Sequence, residues 1–439
     1  MSDHIESVLA AMAEADPMRG SAARGVIDGL TGGEALDMID LASVQSYAWY
    51  TIPVKWMADL DGHMEAVDAA AEVLSRLGLD GYAAVFASEE TARILAIYHQ
   101  SEQAGFEAFR KAVAASGVEP PDLDDFAWGG VMGWQESSAR TAVGRALETA
   151  MVAGELRPGA SGWKRVAATV TQRTLDAELP DAAGQTLRNL VLTERLGWWV
   201  DAMQGRARRL HDLRSRHANR LLHPVPVPAD VDERMAPVRW LLERTGVKLT
   251  LTQAGYVDTA TVRDGAERFG WMMNWPERPP KSESEALELF ELHQLLRRLG
   301  AVRRSGKLLT LIKRGQTWLD HPEAAWREMA VGLAPNDWSR AVAEVITLLY
   351  LDGVRFDHGM YEAAAEILAE VGWLTDGEPP GARVVMSGWY DVERPLRMLT
   401  ATEEVGKWEE RHTVLAPFAV DTLLEMTRAA AAGPRSSPW

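Results

Sequence analysis

The fold of this chain is decided by residues 287–312, which read LELFELHQLLRRLGAVRRSGKLLTLI. The first half repeats leucines at spacings of three and four, which predicts a helix over residues 284–299 with one apolar face. Gly300 follows and suits a left-handed helix end. Two short runs then flank Ser305-Gly306, and because glycine tolerates the positive φ of a tight turn, they predict a β-hairpin.

The residues on either side extend this pair into a unit that spans 249–319. Residues 249–256 predict a short strand and a turn, and residues 257–269 predict a second helix. After the hairpin a short helix ends near Pro322, because proline cannot continue a helix. Helix, helix, basic hairpin and closing helix is the element order of a winged helix.

Residues 249–319 resemble part of a known group of proteins. The string Leu-Thr-Gln-Ala-Gly-Tyr at 251–256, the leucine-rich helix ending in Leu-Gly and the basic hairpin resemble the C-terminal region of uncharacterised actinobacterial proteins, some of them termed plasmid-ORF-like. The resemblance is good over 249–319, loose over 322–428 and absent from the N-terminal half. It implies a winged-helix fold and says nothing about activity. One departure is Ile312, where that group has a Thr-led helix start, and the lost N-cap is worth about 1 kcal/mol.

A second copy is predicted downstream. The helix 360–371 and Gly372 parallel the Leu299-Gly300 junction, and residues 411–415 with 417–426 predict a strand and a closing helix around an irregular, enlarged hairpin over 377–407. We therefore predict a mainly α fold with an N-terminal helical domain and two tandem winged-helix-like modules with short β-hairpins. The predicted limits are 1–222 for the acidic helical domain, 223–234 for a Pro-rich linker, 235–321 and 322–428 for the modules, and 429–439 for a mobile tail.

The N-terminal domain reads as a series of amphipathic helices. Its longest candidate covers residues 88–115, with Gly105 weakening its middle. Residues 163–175, 182–203 and 206–222 predict three further helices.

Composition limits the classes of function. With no cysteine in 439 residues, disulfides, thiol nucleophiles and Cys-ligated metals are excluded. The N-terminus lacks a secretory pattern and no apolar run approaches a membrane span, so we expect a cytoplasmic protein with no membrane partner. The net charge of −17 argues against indiscriminate nucleic-acid binding but leaves room for a local basic face.

Catalytic and metal motifs are absent from the sequence. It contains no H-E-x-x-H, G-x-S-x-G or Walker pattern. The acids Asp122, Asp124 and Asp125 lack the glycine-bounded pattern of a calcium loop, and a solvated helix start explains them better. We expect no metal and no cofactor. Dispersed acids and histidines could still converge, so an enzyme with an unrecognised site in the helical domain stays open.

The strongest functional signal is a run of basic residues without one acid around the predicted hairpin. In a winged helix this face lies beside the duplex, where cations contact phosphates. Against DNA stand Glu285, Glu288 and Glu291 on the helix that would enter the major groove, because phosphates repel them. The predicted nucleic-acid-binding residues are Arg297, Arg298, Arg303, Arg304, Lys307, Lys313 and Arg314.

A second basic segment lies in the predicted helix 206–222. Its arginines could pair with phosphates, or they could form a surface that neutralises the acidic N-terminal half by packing against it. We favour packing slightly. The residues are Arg206, Arg208, Arg209, Arg214, Arg216 and Arg220.

Three hypotheses follow. The first is a non-enzymatic DNA-binding or regulatory protein that uses the first wing, and exposed arginines around Arg303 would support it. The second is an adaptor that binds a protein partner, which an exposed apolar patch near Phe290 would support. The third is the unrecognised enzyme, which a deep pocket with convergent acids or histidines would support. We favour the first, with the adaptor close behind.

Overall fold

The computed structural model describes residues 2–33, 35–271, 280–399, 402–405 and 412–436. These residues are mainly helical, with small antiparallel sheets of two or three strands, so the predicted mainly α class is confirmed. The chain divides into two compact units. Unit 1 is Met1–Val191 with Pro434–Trp439, and unit 2 is Leu192–Gly433.

Unit 1 is a set of short, amphipathic helices with one small hairpin. Its apolar faces meet in two cores, one beneath the first eight helices and one between the ninth and tenth. The helices are α1 (Ser2–Ala15), α2 (Pro17–Thr31), α3 (Leu41–Ser46), α4 (Ile52–Lys55), α5 (Leu60–Arg76), α6 (Asp80–Phe86), α7 (Glu89–Gln100), α8 (Glu102–Ser116), α9 (Trp134–Val152) and α10 (Trp163–Asp176). The strands β1 (Glu178–Leu179) and β2 (Ala182–Thr186) follow, and α11 (Leu187–Asp201) begins in this unit.

The single long helix predicted over residues 88–115 is wrong. It is two helices, α7 and α8, which meet at Ser101, whose extended backbone ends the first and whose hydroxyl caps the second by accepting from the Ala104 N–H at 3.3 Å. Gly105, the expected weak point, lies inside α8. A Cβ there would stand 2.3 Å from Cγ of Tyr98, so this glycine lets the two helices pack closely.

The predicted helix over residues 182–203 is also wrong at its start. Residues 182–186 form β2, which pairs antiparallel with β1, and the helix begins only at Leu187. Gly184 has a φ of +75°, which a right-handed helix cannot contain.

Residues Tyr47–Thr51 form one π-helical turn between α3 and α4. The Ile52 N–H donates to the Tyr47 carbonyl, five residues earlier. Pro53 follows in α4, and its ring has no N–H and would clash with the carbonyl four residues before it. The wider turn accommodates this proline and sets the direction of Tyr50.

The first half of unit 2 contains the predicted hairpin. Strands pair antiparallel in the order β3-β5-β4. A 3-10 turn, Glu283–Glu285, precedes α16. The elements are α12 (Arg208–Leu221), α13 (Val231–Arg234), α14 (Ala236–Val247), β3 (Leu249–Thr250), α15 (Thr259–Phe269), α16 (Leu287–Arg298), β4 (Val302–Ser305), β5 (Leu308–Leu311) and α17 (Lys313–Asp320).

The second half of unit 2 repeats helices before a hairpin. The irregular region predicted over 377–407 is wrong, because most of it is helix α21, whose Val385, Trp389 and Val392 are buried at helical spacing. The closing helix is longer than predicted. The elements are α18 (Pro322–Val331), α19 (Asp337–Leu351), α20 (His358–Val371), α21 (Ala382–Met398), β6 (Thr402–Val405), β7 (His412–Leu415) and α22 (Pro417–Ala431).

The two halves of unit 2 share one apolar core, and α16 packs directly against α21. Leu292 and Leu296 of α16 are buried in this core together with Val392 and Leu396 of α21. The faces through which these two helices meet are therefore interior surfaces of the unit.

The division of the chain lies between Val191 and Leu192, earlier than the linker predicted at 223–234. Leu210 and Leu213 of α12 belong to the core of unit 2. The Pro-rich segment is packed as well, because Val225 is buried and its carbonyl accepts from Arg327 at 3.1 Å.

The tail predicted to begin at residue 429 is partly structured. Helix α22 continues to Ala431, and the Arg435 carbonyl accepts from the Val131 N–H at 3.0 Å within unit 1. Residues 437–439 lie outside the described part of the chain.

Candidate nucleic-acid interface

The hairpin of β4 and β5 carries the basic residues at a fixed register. Arg303 lies opposite Thr310, and Arg304 lies opposite Leu309. Gly306 has a φ of +61°, so the turn needs the glycine that the sequence provides. Because side chains alternate along a strand, Arg303 points to the face opposite that of buried Val302.

Arg304 lies over the turn that follows β3. Its Nε donates to the Gly306 carbonyl at 3.1 Å. A Cβ at Gly255 would stand 2.5 Å from Nη1 of Arg304, and Gly255 also has a φ of +89°. Gly255 of the 251–256 string thus makes room for the Arg304 guanidinium.

Besides Arg304, two of the seven predicted cations have partners inside unit 2. Arg298 donates hydrogen bonds to the Gly332 and Leu333 carbonyls at 2.9 and 2.8 Å. These two carbonyls come directly after the last residue of α18. Desolvation by burial lowers the pKa of the Arg298 guanidinium. Arg314 donates to the Leu299 carbonyl at 2.6 Å and pairs with Glu328 at 3.2 Å.

The other five cations are exposed and form no ion pair with any described residue. They come from the end of α16, from the hairpin and from the start of α17, so they surround β4 and β5. We call this set the basic hairpin surface: Arg297, Arg303, Arg304, Lys307 and Lys313.

The glutamates that argued against DNA are largely engaged within unit 2. Glu285 accepts from the Lys281 N–H at 2.9 Å. Glu291 pairs with Arg394 of α21 at 3.5 Å. Glu288 lies in the first turn of α16, where its charge is favourable at the helix N-terminus.

An apolar patch lies at the start of α16. Leu287 is 50% exposed and Tyr256 is 36% exposed. The ring of Phe290, which is partly buried, lies 6.4 Å from that of Tyr256. This is the feature that the adaptor hypothesis requires.

A buried acid–imidazole pair supports the start of α16. Both Glu283 and His293 are fully buried, and their Oε1 and Nδ1 atoms are 2.7 Å apart. The second oxygen of Glu283 accepts from the Val257 N–H. We did not predict this pair, although His293 lies between Leu289 and Leu296 on the apolar face, where a polar residue needs a partner.

The arginines of α12 lie mainly against the second half of unit 2. Arg214 pairs with Glu344 at 2.7 Å and covers the Trp199 ring at 4.7 Å. Arg209 pairs with Glu366 and Glu370. These acids belong to α19 and α20, so the expectation that α12 neutralises the acidic N-terminal half is wrong for these arginines.

The remaining basic residues of this segment are divided. Arg216 pairs with Asp352, which also contacts Nε2 of buried His217 at 2.8 Å. Arg208 is exposed and 3.9 Å from Asp212. Arg206 and Arg220 are exposed without an ion pair to a described residue.

Unit 1 has open surface cavities, but within the described residues no group of three histidines, aspartates or glutamates could hold a metal ion. One of these cavities, of about 490 Å³, is mostly apolar and lined by residues of α3, α6, α7 and α8. In the acidic turn, Asp122 accepts from the Trp128 N–H at 2.9 Å, and Asp125 pairs with Arg188 at 3.2 Å. These acids are therefore part of a loop, and the helix start predicted for them is wrong, because the next helix, α9, begins only at Trp134.

Comparison of the chain with protein-family models, with curated proteins and with solved structures finds no match. No helix in the described part of the chain has the length and apolar character needed to cross a membrane.

Proposed function

We propose that residues 235–321 form a winged helix and that unit 2 binds duplex DNA through the basic hairpin surface. The element order α14, β3, α15, α16, β4, β5 supports this proposal, as does the repetition of three helices and a hairpin in α19, α20, α21, β6 and β7. The observation that carries it is the group of five exposed cations around one hairpin, with no carboxylate of the described residues paired to them.

The proposed binding mode is phosphate contact by the hairpin, without base reading by α16. A helix reads bases only if one of its faces can enter the major groove. Here one face of α16 is buried against α21, and Glu291 of α16 forms an ion pair with Arg394. The cations of the hairpin form no ion pair with a described residue, and phosphate contacts position a protein without reading sequence.

The acidity of the whole chain limits this affinity. With a net charge of −17, the protein is repelled by DNA except where the basic hairpin surface faces it. Binding is therefore expected to be oriented and strongly dependent on salt, because each neutralised phosphate releases a counterion.

The test is fluorescence anisotropy of a labelled random duplex at low and moderate salt. We expect the full chain to bind at low salt and Arg303→Glu/Arg304→Glu to lose at least about tenfold in affinity, since two phosphate contacts become repulsive. The matched control is Arg157→Glu/Arg165→Glu, which makes the same charge change at exposed positions of unit 1. No binding at low salt, or equal loss in both variants, contradicts the proposal.

A protein-binding role is the second candidate, and the patch of Leu287, Tyr256 and Phe290 favours it. In that case the partner inserts an apolar side chain beside α16, where exposed aromatic and leucine side chains supply binding energy. Leu287→Ser would then abolish capture of a partner that the Arg303→Glu/Arg304→Glu variant still captures. If the two variants behave the other way round, the patch is not the binding surface.

A further inference from the structure

Unit 1 contains a small cavity whose lining is unusual in composition. Its volume is about 300 Å³ and three of its six lining residues are aromatic. A carboxylate lies at the same cavity. The lining residues are Tyr50, Val54, Tyr98, Glu102, Gln103 and Phe106.

The aromatic rings are held at angles to one another. The rings of Tyr50 and Phe106 meet edge to face, with centroids 6.2 Å apart and planes at 65°. Phe109 packs behind both, at 5.6 Å from Tyr50 and 6.1 Å from Phe106. The rings of Tyr50, Phe106 and Phe109 therefore pack against one another beside the cavity.

Features of the backbone explain the position of the Tyr98 ring and the orientation of Tyr50. Tyr98 of α7 lies directly under α8, because Gly105 offers no Cβ to hold the helices apart. Tyr50 belongs to the π-helical turn, which changes the angle between residues before and after it. Such turns are common at functional sites, since they redirect one side chain within a helix.

The electrostatics of the cavity favour a cation. Glu102 is exposed in the first turn of α8 and forms no ion pair with a described residue. Burial, and then the nearby Tyr50 and Glu102, raise the pKa of Tyr98 to about 12, so its hydroxyl stays neutral. That hydroxyl is buried and has no hydrogen-bond partner within the described residues.

We propose that this cavity binds an alkylated ammonium group, with the rings of Tyr50, Tyr98 and Phe106 lining the space for the methyl groups and Glu102 balancing the charge. Aromatic faces attract cations, and quaternary ammonium ions are the ligands best suited to several rings at once. A quaternary ammonium needs no hydrogen-bond acceptors for its methyl groups, whereas a primary ammonium needs three, which the ring carbons of this lining do not supply. The volume suits a small ligand.

The first test compares choline with 3,3-dimethylbutan-1-ol, which has the same shape without the charge. Saturation-transfer NMR and calorimetry on the full chain measure the binding of each. We expect choline to bind at least about tenfold more tightly, since only the cation is attracted by the rings. Equal binding of the two compounds, or no choline binding at about 10 mM, overturns the proposal.

Variants then place the site. Glu102→Gln and Phe106→Leu are expected to weaken choline binding several-fold, and Phe106 is 44% exposed, so its replacement leaves the fold intact. The matched control is Glu89→Gln, which removes an exposed first-turn carboxylate from α7. Circular dichroism checks folding. Equal loss in the control, or none in Glu102→Gln and Phe106→Leu, contradicts the assignment.

The same trimethylammonium chemistry occurs in free metabolites and in trimethylated lysine. A peptide with one trimethyllysine, compared with its unmodified form, separates these sources. Choline binding without peptide binding supports a small-molecule ligand, and choline binding together with selective peptide binding supports a modified protein. Without choline binding, the proposal is wrong whether or not the peptide binds.

Discussion

At the scale of single residues, partners decide which cations remain available. Arg298 and Arg314 donate hydrogen bonds to backbone carbonyls, and Arg314 also pairs with Glu328. Arg214 pairs with Glu344. The sequence could not assign these partners, since Arg214 and Glu344 are 130 residues apart and no local pattern joins them. The sequence could identify the basic run itself, because a series of cations without an acid is a local feature of the sequence.

Asp352 provides a residue-scale prediction. The hydrogen bond from Arg216, opposed by burial and aided by His217, lowers its pKa. Its contribution to stability is therefore full above the unfolded pKa of about 4 and is lost as the pH falls through the lower folded value. We expect Asp352→Asn to lower the free energy of unfolding by about 1–2 kcal/mol at pH 7.

Urea unfolding from about pH 7 to pH 3 tests this, and the gap between wild type and Asp352→Asn should narrow below about pH 4. Asp212→Asn is the matched control, because Asp212 is exposed and its ion pair with Arg208 is long, at 3.9 Å. A gap that is the same at every pH contradicts the linkage.

At the scale of elements, the hairpin was the most predictable part of the fold. Ser305-Gly306 fixes its turn locally, and β4 and β5 lie on either side of it. Helix α21 escaped prediction because Gly388 and Pro395 interrupt its sequence, and both are tolerated there through packing. Gly388 faces Trp338, whose Nε1 would be 2.5 Å from an added Cβ.

Gly315 lies in the first turn of α17, packed against the hairpin, and supplies a prediction at this scale. An added Cβ would stand 2.3 Å from the Ala301 carbonyl oxygen and 2.6 Å from Cδ1 of Leu311. We expect Gly315→Ala to cost about 1–3 kcal/mol, since α17 must move away from the hairpin. Urea unfolding measures this cost.

The control has the opposite expected sign. Gly197 in α11 has nothing within 4 Å of an added Cβ. Gly197→Ala should therefore raise the free energy of unfolding by about 0.5–1 kcal/mol through helix propensity. If both alanines stabilise, the close contact at Gly315 does not constrain the hairpin.

At the scale of the whole molecule, the sequence located the first hairpin and the last strand of the second, but not the boundary between compact units. A Pro-rich segment at 223–234 has the composition of a linker, yet Val225 is buried and α13 lies within it. Composition alone could not predict this, because burial depends on Arg327 and other residues far along the chain.

The boundary leads to a prediction about fragments. Residues 187–433 should fold and unfold cooperatively, whereas residues 223–433 should not. The shorter fragment lacks Leu210 and Leu213 of the core and leaves Glu344 without Arg214. Circular dichroism melts and size-exclusion chromatography compare them. Equally cooperative melting of both fragments would show that the predicted linker is the true boundary.

The packing of α16 on α21 has a consequence for how the protein responds to dilution. In a two-chain dimer, helices that meet across the interface separate when the protein concentration falls below the dissociation constant. Here both helices belong to one chain, so their association is intramolecular and their effective concentration is set by the connecting residues. The two halves of unit 2 therefore stay packed together at any protein concentration. A regulator could not separate them by limiting the number of copies of the protein in the cell.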